Sequence, residues 1–113
     1  MKENKTGTDR IETDYTKEEF TSEVLHAELP VLVEFYAPWC SKCAMMKDIV
    51  DELEQESRGK YRVCRVNVDR SPALAADYRA EVVPTFLIIK NGETVAAASG
   101  VLDKKILEEM LGI

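Results

Sequence analysis

The sequence predicts an α/β domain, a sheet with helices on both faces that ends in an antiparallel hairpin. Three observations predict it. Short β-branched and aromatic runs alternate with segments of helical period, the signature of βαβ units. Asn91-Gly92 separates two strand-like runs, and that dipeptide supplies the two positive-φ positions of a tight hairpin turn. A chain of 113 residues, 45% of them hydrophobic, is sized for one domain with a core that needs no disulfide staples.

The elements follow in order. Residues 1–9 are polar and charged, a disordered lead, and the domain occupies residues 10–113. Arg10 to Tyr15 holds a short first strand. Thr16-x-x-Glu19 is a capping box that opens a helix, with Phe20, Val24 and Leu25 as its buried face. Leu29-Pro30 ends that helix, and Val31 to Tyr36 reads as a buried strand. The second helix runs from about Cys40 to Ser57, with Met46, Ile49, Val50 and Leu53 at helical spacing and Gly59 as its stop. Tyr61 to Asp69 is a strand carried by Val63, Val66 and Val68. Ser71-Pro72 places a cap before a first-turn proline and opens a short helix, Ala73 to Tyr78. Val82 to Ile89 is the most apolar run, and Pro84 must precede its strand because proline cannot sit inside a central one. The hairpin joins Phe86–Lys90 to Glu93–Ala98. A last helix, Asp103 to Leu111, is capped by Asp103 and shows Ile106, Leu107, Met110 and Leu111 on one face. The order is βαβαβαββα.

Charge narrows the function. Fifteen basic against twenty-one acidic residues give a net charge of −6, with no electrostatic footprint for nucleic acid or anionic lipid. No apolar run is long enough to span a membrane and no signal-peptide pattern is present, so the expected location is cytoplasmic. Three cysteines do not make a disulfide framework.

The chemistry concentrates at Cys40 and Cys43, which follow a strand and open a helix. Unpaired N–H groups and the positive end of the helix dipole stabilise a thiolate there, and residues three apart share a face. A structural zinc site would need four ligands, and only Cys64 and His26 remain to join the pair. Cys64, among valines, reads as a buried small hydrophobe. Glu34 interrupts an apolar strand. A carboxylate there must be paired, protonated or near water, and desolvation would raise its pKa toward the range of a neutral-pH acid or base. Trp39, on the loop before Cys40, reads as an exposed platform for substrate.

Four ordered stretches resemble the thioredoxin family: "VLVEFYAPWCSKC", "RVNVD", "VVPTFLIIKNGE" and "ASG". The resemblance implies a mixed five-stranded sheet with four helices and a cis Val83–Pro84 bond facing the cysteines. It implies that the Val83 backbone pairs with an extended substrate, and Gly100 is read as allowing close backbone approach near the site. It implies that Cys40, the exposed low-pKa member, attacks a substrate disulfide and that Cys43, the more buried one, resolves the mixed disulfide. Glu34 stands where the family carries an aspartate that moves protons for the second cysteine, and Arg65 where it carries a lysine near that acid. A Glu34–Arg65 pair would lower the glutamate pKa against desolvation, and the sequence leaves the balance open. Ser41 and Lys42 replace the usual Gly-Pro. Lys42 beside the thiolate favours the charged form and a more oxidising disulfide. Asp48 stands where many members carry a helix-kinking proline.

The reading is a monomeric thiol–disulfide oxidoreductase that reduces protein disulfides. It holds no metal or organic cofactor beyond the two thiols and draws electrons from a flavoprotein reductase of the thioredoxin-reductase type. Two other readings stay open: a disulfide oxidase or isomerase in an oxidising compartment, and a non-catalytic adaptor that binds peptides in the same groove.

Overall fold

Period-2 alternation along the central strands sets the architecture. The computed structural model of the protein describes residues 15–113. Four strands form one mixed sheet: β1 (Val31–Tyr36), β2 (Arg62–Asn67), β3 (Thr85–Lys90) and β4 (Glu93–Ser99), in the spatial order β2-β1-β3-β4. β1 runs parallel to β2 and antiparallel to β3, and β3 runs antiparallel to β4. The hairpin is thus more than an edge, because β3 lies beside β1 in the middle of the sheet. Among the described residues the sheet has four strands rather than five. The strand expected at Arg10–Tyr15 lies outside them except for Tyr15, which is not in a strand.

Both faces of β1 are covered. Val31, Val33 and Phe35 point to one side and pack with Val66, Leu87 and Ile89 of the neighbouring strands and with Phe20, Val24 and Leu74. Leu32 points to the other and packs with Phe86, Ile88, Met46, Val50, Leu53, Leu107 and Leu111. The first face is roofed by α1 (Lys17–Phe20), continued by a π-helical turn (Thr21–Leu25), and by α3 (Pro72–Asp77). The second is roofed by α2 (Ser41–Gln55) and α4 (Lys104–Leu111). Glu34 shares the parity of Leu32, so alternation turns its carboxyl toward α2.

Local chemistry fixes the ends. The Thr16–Glu19 capping box forms as its spacing requires, each side chain taking the other's backbone N–H. β2 stops at Asn67, whose Oδ1 accepts the Asp69 N–H at 2.9 Å and turns the chain, so Val68 and Asp69 fall outside the strand expected there. Ser71 precedes α3, yet its hydroxyl caps nothing. It accepts from the Tyr15 amide (2.9 Å) and donates to the Tyr15 carbonyl (3.2 Å), closing a buried two-point clasp across 56 residues. Asn91 and Gly92 have φ of 53° and 81°, the pair of left-handed conformations the hairpin demands. On α4, Leu107 and Leu111 are buried but Ile106 is exposed, because a helix of eight residues turns too few positions inward to include it. Lys104 ties α4 to α2 through Glu52 (3.3 Å) and Glu56 (2.8 Å).

Candidate active site

Cys40 is the N-cap of α2, and Cys43 stands three residues on, in its first turn. The two sulfurs form a disulfide with Cα atoms 5.2 Å apart. Cys40 Sγ accepts the Cys43 amide N–H at 3.0 Å, so one of the orphan donors of the helix start is aimed at that sulfur. The expected contrast in exposure is absent: Cys40 is 8% and Cys43 7% exposed. Ala37, Val83 and the helix start enclose both side chains, so burial does not separate their roles.

The loop before β3 faces the disulfide. The Val83–Pro84 peptide bond is cis, as the resemblance implied. The Val83 carbonyl oxygen lies 3.6 Å from Cys40 Sγ. Thr85 anchors the loop by donating from its hydroxyl to the Val82 carbonyl, and the Gly100 amide donates to the Pro84 carbonyl at 2.9 Å. Gly100 has φ of +93°, and a Cβ there would meet nothing within 4 Å. No described part of the protein crowds that position, which stays open to solvent, and the positive φ favours glycine there. Trp39 is 69% exposed, and its indole N–H donates to Asp69 Oδ2 at 2.9 Å, which fixes the ring at the rim. Ser41 and Lys42 are exposed on the first turn of α2. The helix continues unbroken through Asp48.

Beside the disulfide, a cavity of about 200 Å³ is lined by Cys40, Cys43, Glu34, Arg65, Lys47 and Tyr36, with small residues between them. Glu34 is 4% exposed, and its pKa is pushed up from 4.5 to about 7. Desolvation is the main cause; the Arg65 charge opposes it and the Asp51 charge adds to it. Glu34 and Arg65 are register partners on the parallel strands β1 and β2. Arg65 lowers the Glu34 pKa by its charge, as the sequence reading of the pair expected, but its ion pairs go elsewhere and desolvation wins. The Arg65 guanidinium turns toward α2, where Nη2 meets Asp51 Oδ1 at 2.7 Å and Glu54 Oε1 at 3.1 Å. Arg65 Nε is buried without a hydrogen-bond partner. Lys47 holds the other oxygen of Asp51 at 2.7 Å. Burial pushes the Asp51 pKa up, but hydrogen bonds from Lys47 and Arg65 together with their charges outweigh it and the net shift is downward. For Glu54, burial outweighs Arg65 and the net shift is upward.

Asp51 and Glu54 escaped the sequence reading, since acids on an amphipathic helix resemble its solvent face. The signal present was their i, i+3 spacing two turns after Cys43, together with a basic residue in the second strand of a parallel pair. Cys64 is buried in the core apart from the disulfide, and His26 is exposed at the end of the π-helical turn. Among the described residues no group of three or more His, Cys, Asp or Glu side chains is arranged to hold a metal, and no helix is long and apolar enough to cross a membrane.

Comparison with known proteins agrees with this geometry. The thioredoxin family profile matches residues 12–112. Thioredoxin 1 of Nostoc sp. is 41% identical over 96 residues, covering 85% of this chain and 90% of that protein. The thioredoxin of Porphyra purpurea is 40% identical over the same shares. Thioredoxin M5, chloroplastic, of Oryza sativa is 44% identical over 90 residues, 80% of this chain and 52% of that protein. With a Cys40–Cys43 disulfide at a helix start and that match along nearly its whole length, the chain belongs to the thioredoxin family of thiol–disulfide oxidoreductases.

Proposed function

We propose that this chain is a reductant of protein disulfides, with Cys40 as nucleophile and Cys43 as resolving thiol. The observation that carries the assignment is the Cys43 N–H aimed at Cys40 Sγ, a donor that would stabilise a Cys40 thiolate once the disulfide is reduced. In the dithiol form the Cys40 thiolate attacks a substrate disulfide. One substrate sulfur leaves as a thiolate and a mixed disulfide forms. Cys43 then loses its proton to Glu34 across the shared cavity and attacks Cys40 Sγ. The second substrate sulfur leaves, two electrons have passed to the substrate, and the Cys40–Cys43 disulfide is restored. The Val83 backbone beside Cys40 would pair with an extended peptide, with exposed Trp39 on the rim and Gly100 hydrogen-bonded to the Pro84 carbonyl of the same loop. A flavoprotein reductase returns the electrons, and the chain works as a monomer in the cytoplasm without a bound cofactor.

Cysteine substitutions and the potential test this. Cys43→Ser should accumulate a mixed disulfide through Cys40, detected by mass spectrometry, and Cys40→Ser should accumulate none. A trapped species on Cys43 instead would reverse the roles. The equilibrium potential of the pair, titrated in thiol–disulfide buffers, should lie below the glutathione poise. Exposed Lys42 favours the thiolate and pulls the other way, and a value well above that poise would replace the reductase reading with an oxidase or isomerase.

A further inference from the structure

The unexpected partners of Arg65 carry a further assignment. Arg65 and Glu34 sit side by side across β1 and β2, and both line the cavity beside Cys43. A guanidinium placed so would be expected to fork onto the neighbouring carboxylate. It is drawn instead to the α2 side by two acids one helical turn apart, Asp51 and Glu54, and it leaves Nε without a partner. Asp51 is held in turn by Lys47, four residues earlier on the same helix face. Arginine cannot lose its charge, so its position is what sets its influence on Glu34.

We propose that Asp51 and Glu54 are positioning residues that clamp Arg65 against α2, deny Glu34 a direct ion pair, and so set the proton affinity of Glu34. The charged and titratable groups around that carboxyl are Tyr36 on its own strand, Arg65 from β2, Cys40 and Cys43 at the start of α2, and Lys47 and Asp51 further along it, with Glu54 reaching it only through Arg65; β3 presents Phe86 opposite it and no charge. The raised Glu34 pKa accords with this arrangement, since desolvation prevails over Arg65 while the guanidinium is held away. The value of the clamp for catalysis rests on the reading of Glu34 as the proton acceptor for Cys43.

The two acids can be separated. Asp51 acts on Glu34 by its own charge as well as through Arg65, whereas Glu54 is not among the groups that act on Glu34 directly. Glu54→Gln is therefore the clean variant. The Glu34 carboxyl is titrated by NMR in protein carrying carbon-13-labelled glutamate, with Glu34→Gln to assign the signal. Asp51→Asn/Glu54→Gln should lower the Glu34 midpoint by about one pH unit, a roughly tenfold weaker hold on the proton. Glu54→Gln alone should lower it less, and in an Arg65→Met background it should shift nothing, because the effect passes through the guanidinium. An unchanged midpoint in the double variant, or a Glu54→Gln shift that persists without Arg65, would overturn the clamp. The exchange rate of Glu34→Gln against pH is a separate readout. A profile identical to the parent's would sink the catalytic reading of Glu34, while the titration would still decide the clamp.

Discussion

Glu34 holds its proton to a pH at which a free glutamate has long since lost it, and this links activity to stability. The folded protein keeps the proton up to about pH 7, while the unfolded chain gives it up near 4.5. Between those values the folded state binds more protons, so stability falls as pH rises through that window, and above it the buried charge exerts its full cost. The shift corresponds to about 3 kcal/mol at 1.36 kcal/mol per pH unit. Glu34→Gln should therefore stabilise the protein by about 2–3 kcal/mol at pH 8 and by little at pH 4, measured by urea unfolding at both. The same variant should slow disulfide reduction at pH 7 by about a hundredfold, the low end of what a positioned proton-transfer group contributes. More stable and slower is the joint outcome a purely structural acid would not give. Glu34 and the cysteines were legible in sequence because each breaks a local pattern: an acid in an apolar strand, two thiols at a helix start. The equal burial of Cys40 and Cys43 was not, since it depends on Ala37 and Val83, which the fold brings from both sides.

At the scale of elements, short signals were read well and long-range ones less so. The capping box, the Pro72 helix start and the Asn91-Gly92 turn are each decided by a few adjacent residues, and each stands where expected. Ser71 shows the other case. Its place before Pro72 suggests a cap, but a backbone 56 residues away competes for the hydroxyl and wins. Ile106 shows a third, in which helical period alone cannot say how wide the buried stripe is on so short a helix. The hairpin also yields a prediction. Gly92 has φ of +81°, and a Cβ there would come within 3.3 Å of the Leu25 carbonyl oxygen, which belongs to the π-helical turn. Gly92→Ala should cost about 1–2 kcal/mol from the left-handed backbone alone, with the contact adding to it. Thermal unfolding would check this, and an unchanged Tm would mean that the turn relaxes to another type.

Across the whole molecule, one rule places the site. Alternation along β1 sends its odd-numbered apolar residues to the face under α1 and α3 and its even-numbered ones to the face under α2 and α4. Glu34 thereby falls beneath the helix that carries the disulfide. The fold class, the helices and the position of the reactive pair followed from hydrophobic period and motif. The placement of β3 beside β1 did not, because pairing between distant strands leaves no local trace. Nor did the grip of α2 on Arg65, which exists only once β2 is seated and the helix laid across it. The Tyr15–Ser71 clasp has a consequence for how the chain breathes. Both bonds converge on a single hydroxyl, so one side chain holds the Tyr15 backbone at its N–H and at its carbonyl. The Tyr15 amide should exchange slowly with deuterium, and Ser71→Ala should release that amide to exchange at least tenfold faster while amides in β1 and β3 keep their rates. The backbone at Tyr15 would then open locally, ahead of the sheet that holds the disulfide in place.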